Sequence, residues 1–268
     1  MKNKRIFLAV ILGFALQSLI AQTTNESLVV SVGGGPSSGG VYTNFSVAGE
    51  PFVASPVSGA AYSTDIGFIY RLGDIQATIL NLTLYLEGLY SGAGFMNKAR
   101  NAAGFQFAGS IADQITLELH NAGNYAITAY AAPNINLNTD GTVSHTVPAN
   151  VSGSYYVAVK HRNSVETVSA APLSIAGGTV NYDFSDMAAR AYGSNLKLLE
   201  PGIYGVFAGD VNNDGVVNLT DLMLINTDAA TFARGYMNPD VNGDGIVDAL
   251  DFILTDNNSA QFVQRIIP

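Results

Sequence analysis

From Ala77 the alternation of apolar and polar residues becomes clean: Leu80, Leu82, Leu84 and Leu86 fall on one side, Asn81, Thr83, Tyr85 and Glu87 on the other. A period of two is that of a strand with one buried face. Ile115, Leu117 and Leu119 repeat the device. Further β-like runs follow at Tyr125–Tyr130, Val143–Val147 (after an Asp140-Gly141 turn), Tyr155–His161, Val165–Ser169 and Val180–Phe184. Strands at this short spacing, with almost no helical period, predict a mostly β fold. The expected body is an antiparallel β-sandwich of the immunoglobulin-like or Greek-key kind over 76–208. Ala188–Phe207, with a Pro201-Gly202 turn, leads out of it. Upstream, 22–75 is a Gly/Ser-rich segment with β-like runs at Val41–Val47 and Ile66–Tyr70. Its Gly33-Gly34-Gly35-Pro36 lacks the Lys-Ser/Thr and the following helix of a phosphate cradle, and reads as a turn.

The pattern changes in the last quarter. DVNNDGVVNLTD (Asp210–Asp221) returns thirty residues later as DVNGDGIVDALD (Asp240–Asp251). A hard dication takes six to eight oxygens, and a twelve-residue loop supplies them from positions 1, 3, 5, 7, 9 and 12. The first copy offers Asp210, Asn212, Asp214, the Val216 carbonyl, Asn218 and Asp221; the second offers Asp240, Asn242, Asp244, the Ile246 carbonyl, Asp248 and Asp251. Position 6, where the loop turns sharply, is Gly215 in one copy and Gly245 in the other. Asx-rich turns use the same residue types, but turn chemistry alone does not demand the same six slots twice. Two calcium ions are therefore expected. Behind each loop lies an apolar run, Leu222-Met223-Leu224 and Phe252-Ile253-Leu254, with Phe232 recurring as Phe262. These are expected to be the buried faces through which two helices pack on each other.

Both loops end on Asp rather than Glu, and neither follows an amphipathic helix. A loop followed by one helix, doubled about thirty residues apart and closing on Asp, resembles the type I dockerin domain, over 209–268. The resemblance implies a small α-helical calcium module that docks to a protein partner. Cellulosomal dockerins read their cohesin with Ser-Thr at loop positions 10 and 11 and with basic residues further along the helix. Here those places hold Leu219-Thr220 and Ala249-Leu250, then Asn226-Thr227 and Asp256-Asn257. The departure implies that the partner is not a standard cohesin. The module is expected to pack on its own β-domain or on another surface partner, with Leu219, Ala249 and Leu250 at or near the contact. The segments YYVAVKHRNSVET (Tyr155–Thr167) and LYLEGLYSGAG (Leu84–Gly94) resemble the β-domain found before dockerin-like ends in large secreted bacterial proteins.

The first residues add a compartment. MKNKR followed by an apolar run, Ile6–Leu16, and small and polar residues to Gln22 reads as an export signal over 1–21, too short in its apolar core to span a bilayer. No later stretch is long enough to span either, so the mature protein is expected to be secreted or displayed at the cell surface. With no cysteine there is no disulfide framework and no thiolate metal site, and calcium is the remaining staple. The net charge of −9 is uneven: from Gly209 onward nine Asp and two Arg leave −7, and the rest of the chain carries −2. The acidity thus belongs to the loops and argues for cations and against nucleic acid.

Candidates for catalysis are thin. His120, His145 and His161 sit in predicted strands without H-x-H, H-E-x-x-H or Cys partners, and read as solvated or hydrogen-bonded. Glu87, Glu118 and Glu166 are the strand carboxylates a glycosidase would need. No Trp is present to build a sugar platform, so Tyr85, Tyr90, Tyr155, Tyr156 and Tyr182 would have to serve. The expected function is a secreted, non-catalytic calcium-binding protein that docks or is stiffened through its C-terminal module. A carbohydrate-binding or adhesive module stands second and a glycoside hydrolase third.

Overall fold

Leu80, Leu82, Leu84 and Leu86 are all buried, as their alternation requires. The computed structural model describes residues 76–268; the export signal and the β-like runs of 22–75 lie outside the described residues. In chain order the strands are β1 (Thr78–Thr83), β2 (Tyr90–Gly92), β3 (Phe95–Met96), β4 (Arg100–Asn101), β5 (Gly104–Phe105), β6 (Ile111–Asn121) and β7 (Asn124–Asn138). They continue as β8 (Thr142–Val147), β9 (Gly153–His161), β10 (Ser164–Val168), β11 (Leu173–Ile175), β12 (Gly178–Asp183), β13 (Lys197–Glu200) and β14 (Ile203–Gly205). Two helices close the chain, α1 (Leu219–Ala229) and α2 (Ala249–Ser259).

The body is two sheets, β12-β1-β8 and β10-β9-β6-β7 with β11 added beside β9. Their inward residues meet in a single core: Leu80, Leu82, Val143 and Val147 from the first, Leu117, Leu119, Val157 and Val159 from the second. The expected mostly β body with a small helical C-terminal module is what forms. The pairing is not antiparallel throughout, because β1 runs parallel to β12 from Thr78↔Gly178 to Thr83↔Asp183. Alternation specifies which face of β1 is buried and leaves its neighbour open, so this pairing has no local signature. Pro201-Gly202 is the turn of a β13–β14 hairpin.

The chain from β14 runs straight into the module. Val206 donates to the Tyr85 carbonyl and Val165 to that of Phe207, at 2.7 and 2.8 Å, so the last body strand and the first loop share one continuous backbone support. Residues from Ile75 to Pro268 make up one compact unit.

Candidate functional site

Each half of the module begins with a loop whose polar side chains are tied down by the loop's own N–H groups, and the two halves use the same ties. Asp210 Oδ2 accepts from Gly215 N at 3.0 Å, and Asp240 Oδ2 from Gly245 N at 3.0 Å. Asp214 N donates to Asn212 Oδ1 and Val216 N to Asp214 Oδ1, both at 2.9 Å; the second loop repeats these at 2.8 and 2.9 Å through Asn242 and Asp244. Asp221 Oδ1 accepts from Val211 N and Asn212 N, and Asp251 Oδ1 from Val241 N and Asn242 N. The glycines at position 6 sit at φ +90° and +87°. A side chain there would be strained, and at Gly215 a Cβ would also meet the Arg265 side chain at 2.6 Å.

The loops lead directly into the helices. Asn218 and Asp248 are the N-caps, each accepting at 2.7 Å from the N–H two residues on, while Asp221 and Asp251 reach back to the N-cap N–H at 2.9 Å. These capping boxes explain why α1 and α2 start where they do. Position 9 and position 12 thus serve helix start and loop closure at once.

One oxygen in each loop is left over. Asp210 Oδ1 and Asp240 Oδ1 are buried and have no hydrogen-bond partner. Burial together with the neighbouring loop carboxylates pushes Asp210 up to about 6. Asp240 is pushed up to about 7, again by burial first, although the Arg162 guanidinium pulls the other way. Burial raises Asp251 too. Ionised carboxylates crowded in a buried loop need a positive charge or a proton. The donors are all oxygens, a mixture of carboxylate, amide and main-chain carbonyl, which is the chemistry of a hard dication. Among the described residues no three His, Cys, Asp or Glu side chains converge closely enough to hold a metal by themselves, so the loop carboxylates stand apart in this structure.

The two halves complete each other. Val217 N donates to Val263 O at 2.9 Å and Arg265 N to Gly215 O at 2.7 Å, so the first loop pairs with the tail behind α2. Gly235 N donates to Gly245 O at 3.0 Å and Val247 N to Ala233 O at 2.8 Å, so the second loop pairs with the segment behind α1. Val211, Ile225, Val241 and Val247 are buried between the halves, with Phe252 and Leu254 packed against them.

The expected buried face is only partly right. Leu222 is buried and Phe252 and Leu254 are half-buried, but Met223, Leu224 and Ile253 are exposed by 62%, 42% and 54%, and Phe232 and Phe262 by 68% and 86%. Successive helix residues point about 100° apart, so three in a row cannot share one face. The inward positions are Asp221, Leu222 and Ile225 on α1 and Asp251, Thr255 and Asn258 on α2.

The module packs on its own β-domain, although not through the residues expected. Leu219 and Leu250 are exposed by 67% and 59%, and Ala249 is exposed. Positions 10 and 11 lie on the first helical turn, facing away from the body. The contact is made by the loops and by the far end of α2. The Asn258 amide donates to Glu87 Oε2 at 2.6 Å and to Ala208 O at 2.9 Å, and Lys197 bridges Glu87 and Asn258. Arg100 N donates to Gly243 O at 2.9 Å. At the centre of the contact Asp113 accepts from the Tyr236 hydroxyl at 2.5 Å and pairs with His161 and Arg162 at 3.1 and 3.3 Å. Asp113, Arg162 and Tyr236 carry no motif that marks them in the sequence, and of this cluster only His161 stands out there, as a solvated or hydrogen-bonded residue.

The histidines are hydrogen-bonded, and His120 and His161 are buried rather than solvated. His120 is held by Tyr125 O and Glu118, and its ring stacks on Tyr125 at 4.2 Å. Burial lowers His161 and His145 below the usual imidazole range. Glu118 is salt-bridged to Lys160 at 2.7 Å; burial pushes it up, but the Lys160 and His120 bonds outweigh this and hold it low. Glu166 takes the Tyr125 hydroxyl at 2.7 Å and Arg265 at 3.3 Å. The tyrosines are packed against their neighbours: Tyr85 meets Tyr90 edge-on at 5.4 Å, Tyr182 meets Phe184 edge-on at 4.8 Å, and Tyr155 turns its hydroxyl back to Ser152 O.

Residues 208–258 match the family model described as the dockerin type I domain. The C-terminal segment carries a type I dockerin domain. Domains of this type bind calcium. No curated protein matches the chain. Among solved structures, two interface mutants of a type II cohesin-X-dockerin complex from Acetivibrio cellulolyticus are similar at 15% and 16% identity, over 70% and 71% of this chain and 97% of theirs. Their TM-scores are 0.39 and 0.37, too distant for the likeness to carry argument. Among the described residues no helix is long and apolar enough to cross a membrane.

Proposed function

We propose that the protein is an exported, non-catalytic carrier that fastens its β-body, through the dockerin domain, to a protein partner bearing a cohesin-type domain. In this reading each loop holds one calcium ion. Asp210, Asn212, Asp214, the Val216 carbonyl, Asn218 and Asp221 surround the first; Asp240, Asn242, Asp244, the Ile246 carbonyl, Asp248 and Asp251 surround the second. The ions supply the charge that buried Asp210 and Asp240 lack and fix the loops from which both helices start.

The observation that carries the docking reading is the solvent-facing apolar surface that remains once the dockerin domain is seated on the body. Leu219, Met223, Leu250 and Ile253 are each more than half exposed, and Met223 and Ile253 hold the same place on their two helices. Exposed apolar side chains grouped on one element mark a contact surface. Apolar residues where cellulosomal dockerins present hydroxyls call for a partner face that is apolar at the matching place. A hydrolytic reading is weaker, because a general acid needs a raised carboxyl and Glu118 is held low. A sugar platform is weaker too, since Tyr85, Tyr90, Tyr156 and Tyr182 meet aromatic neighbours edge-on and Tyr155 turns its hydroxyl back to Ser152 O.

The test is surface plasmon resonance of the whole secreted chain against a panel of cohesin domains, with calcium and then with a chelator. Calcium-dependent binding that Met223→Asp with Ile253→Asp abolishes, while the melting temperature stays within about 2 °C, is the expected result. Binding that ignores calcium, or survives both substitutions, overturns the reading.

A further inference from the structure

The turn between β9 and β10 belongs to the body by sequence and to both loops by contact. On the second loop, Arg162 Nη1 donates to the carbonyls of Met237 and, at 2.7 Å, Asp240. Asn163 Nδ2 donates to the carbonyls of Asn238 and Asp240 at 3.0 and 2.9 Å. On the first loop, Gly209 N donates to Asn163 O at 2.8 Å and Asn213 Nδ2 to Arg162 O at 3.0 Å. Two adjacent residues therefore hold the backbone at position 1 of both loops, the carbonyl of Asp240 in one and the N–H just before Asp210 in the other.

Position 1 is where that backbone matters. Asp210 and Asp240 have one oxygen tied to the position-6 N–H and the other unpartnered, so the main chain on either side decides where the unpartnered oxygen points. The turn is itself rigidly held. Arg162 pairs with fully buried Asp113, its guanidinium lies over the Tyr236 ring at 4.8 Å, and Asn163 is 1% exposed. A guanidinium beside a dication site opposes the ion electrostatically, so its contribution is positional. Its fork reaches two carbonyls and a carboxylate together, which an ammonium on a flexible stem does not.

We infer that the Arg162–Asn163 turn is a shared outer support of both calcium loops, so that ion binding and the seating of the dockerin domain on the body are a single equilibrium. The inference rests on the calcium reading above. Arg162 and Asn163 are positioning residues that act through Asp240 and Asp210. Partners of this kind change metal affinity by about 10–100-fold when removed. By reciprocity, calcium must hold the turn closed as firmly as the turn holds the loops.

The experiment is calorimetric calcium titration of the whole secreted chain, with melting curves in calcium and in chelator, for Asn163→Asp, Arg162→Lys and Asp240→Asn. Asn163→Asp keeps the shape but sets a carboxylate against two carbonyls; Arg162→Lys keeps the charge but loses the fork. Both are expected to weaken the second site about tenfold or more and the first by a smaller factor. The rise in melting temperature that calcium produces should shrink with them. Wild-type affinities in both variants, or an equal loss of melting temperature with and without calcium, would show a merely structural turn and overturn the inference. If Asp240→Asn alone abolishes one of two sites, the calcium reading stands while the inference falls. A wild-type chain that takes up no calcium at millimolar concentration overturns both.

Discussion

Asn258, on the last turn of α2, donates to Glu87 Oε2 at 2.6 Å across 171 positions of chain, and both side chains are buried or nearly so. The corresponding residue of the first half is Asp228, half-buried on a helix end that makes no such contact with Glu87. One amide thus separates the helix end that meets Glu87 from the helix end that does not.

Giving α2 the residue of its sister makes the first prediction. Asn258→Asp sets a carboxylate against Glu87 and removes the amide that Glu87 Oε2 and Ala208 O share, leaving Lys197 between two acids, so it should cost about 3 kcal/mol, while Asn258→Ala should cost about 1–3. Thermal melting of the full chain measures both. An aspartate variant as stable as wild type would show that Lys197 alone neutralises the pair.

Removal of calcium should unfasten the module before it disturbs the sandwich. An ion present at a hundred times its dissociation constant adds about 2.7 kcal/mol, comparable with the margin of a domain this small. Amide exchange in chelator should rise across 209–268 and leave Leu117, Leu119 and Val157 protected, since that core does not draw on the loops. Uniform loss of protection in both parts would contradict this.

The two sites should differ in affinity. Loop two carries Asp248 where loop one carries Asn218, and more ligand charge binds more tightly. Both residues also cap a helix through Oδ1. Asp248→Asn should therefore weaken the tighter site toward its neighbour while leaving α2 intact, because Asn caps as well as Asp. Calorimetry reads the affinities and far-ultraviolet dichroism the helix.

Acid should act on the contact through Asp113. Burial pushes this carboxyl up, but His161 and Arg162 beside it prevail and hold it well below its ordinary 3.8. A depressed acid contributes stability above its unfolded value and loses it as the pH falls below that value and through its folded one. Asp113→Asn should cost about 3 kcal/mol near neutrality, and the gap to wild type should narrow only below about pH 3.8. A gap that closes between pH 7 and 5 would assign the effect to another group.

The loops were legible because six oxygen slots and a glycine recur at fixed spacing, and hydrogen bonds within each loop tie those same positions together. β1 was legible as a face, from Leu80 to Leu86, and not as a neighbour of β12, because side-chain alternation carries no pairing information. The apolar runs behind each loop misled, since Met223 and Ile253 are as apolar as Leu222 yet point to solvent. The body–module contact rests on Arg162, Asn163, Asp113 and Asn258, polar residues whose burial no periodicity announces. Setting the two halves in register would have exposed one of them, as the mismatch of Asp228 with Asn258.

Because each loop pairs with the tail that trails the other helix, neither half owns the strand it needs. A peptide ending before Val263 leaves the first loop with an open edge at Val217, and one holding a single half presents both an open edge and a strand of the kind that would close it. Two copies of a lone half can then trade tails, as in domain swapping. The duplication in this chain is therefore the covalent form of a dimer, and cutting between Ala233 and Asp240 should yield fragments that find each other rather than two independent domains.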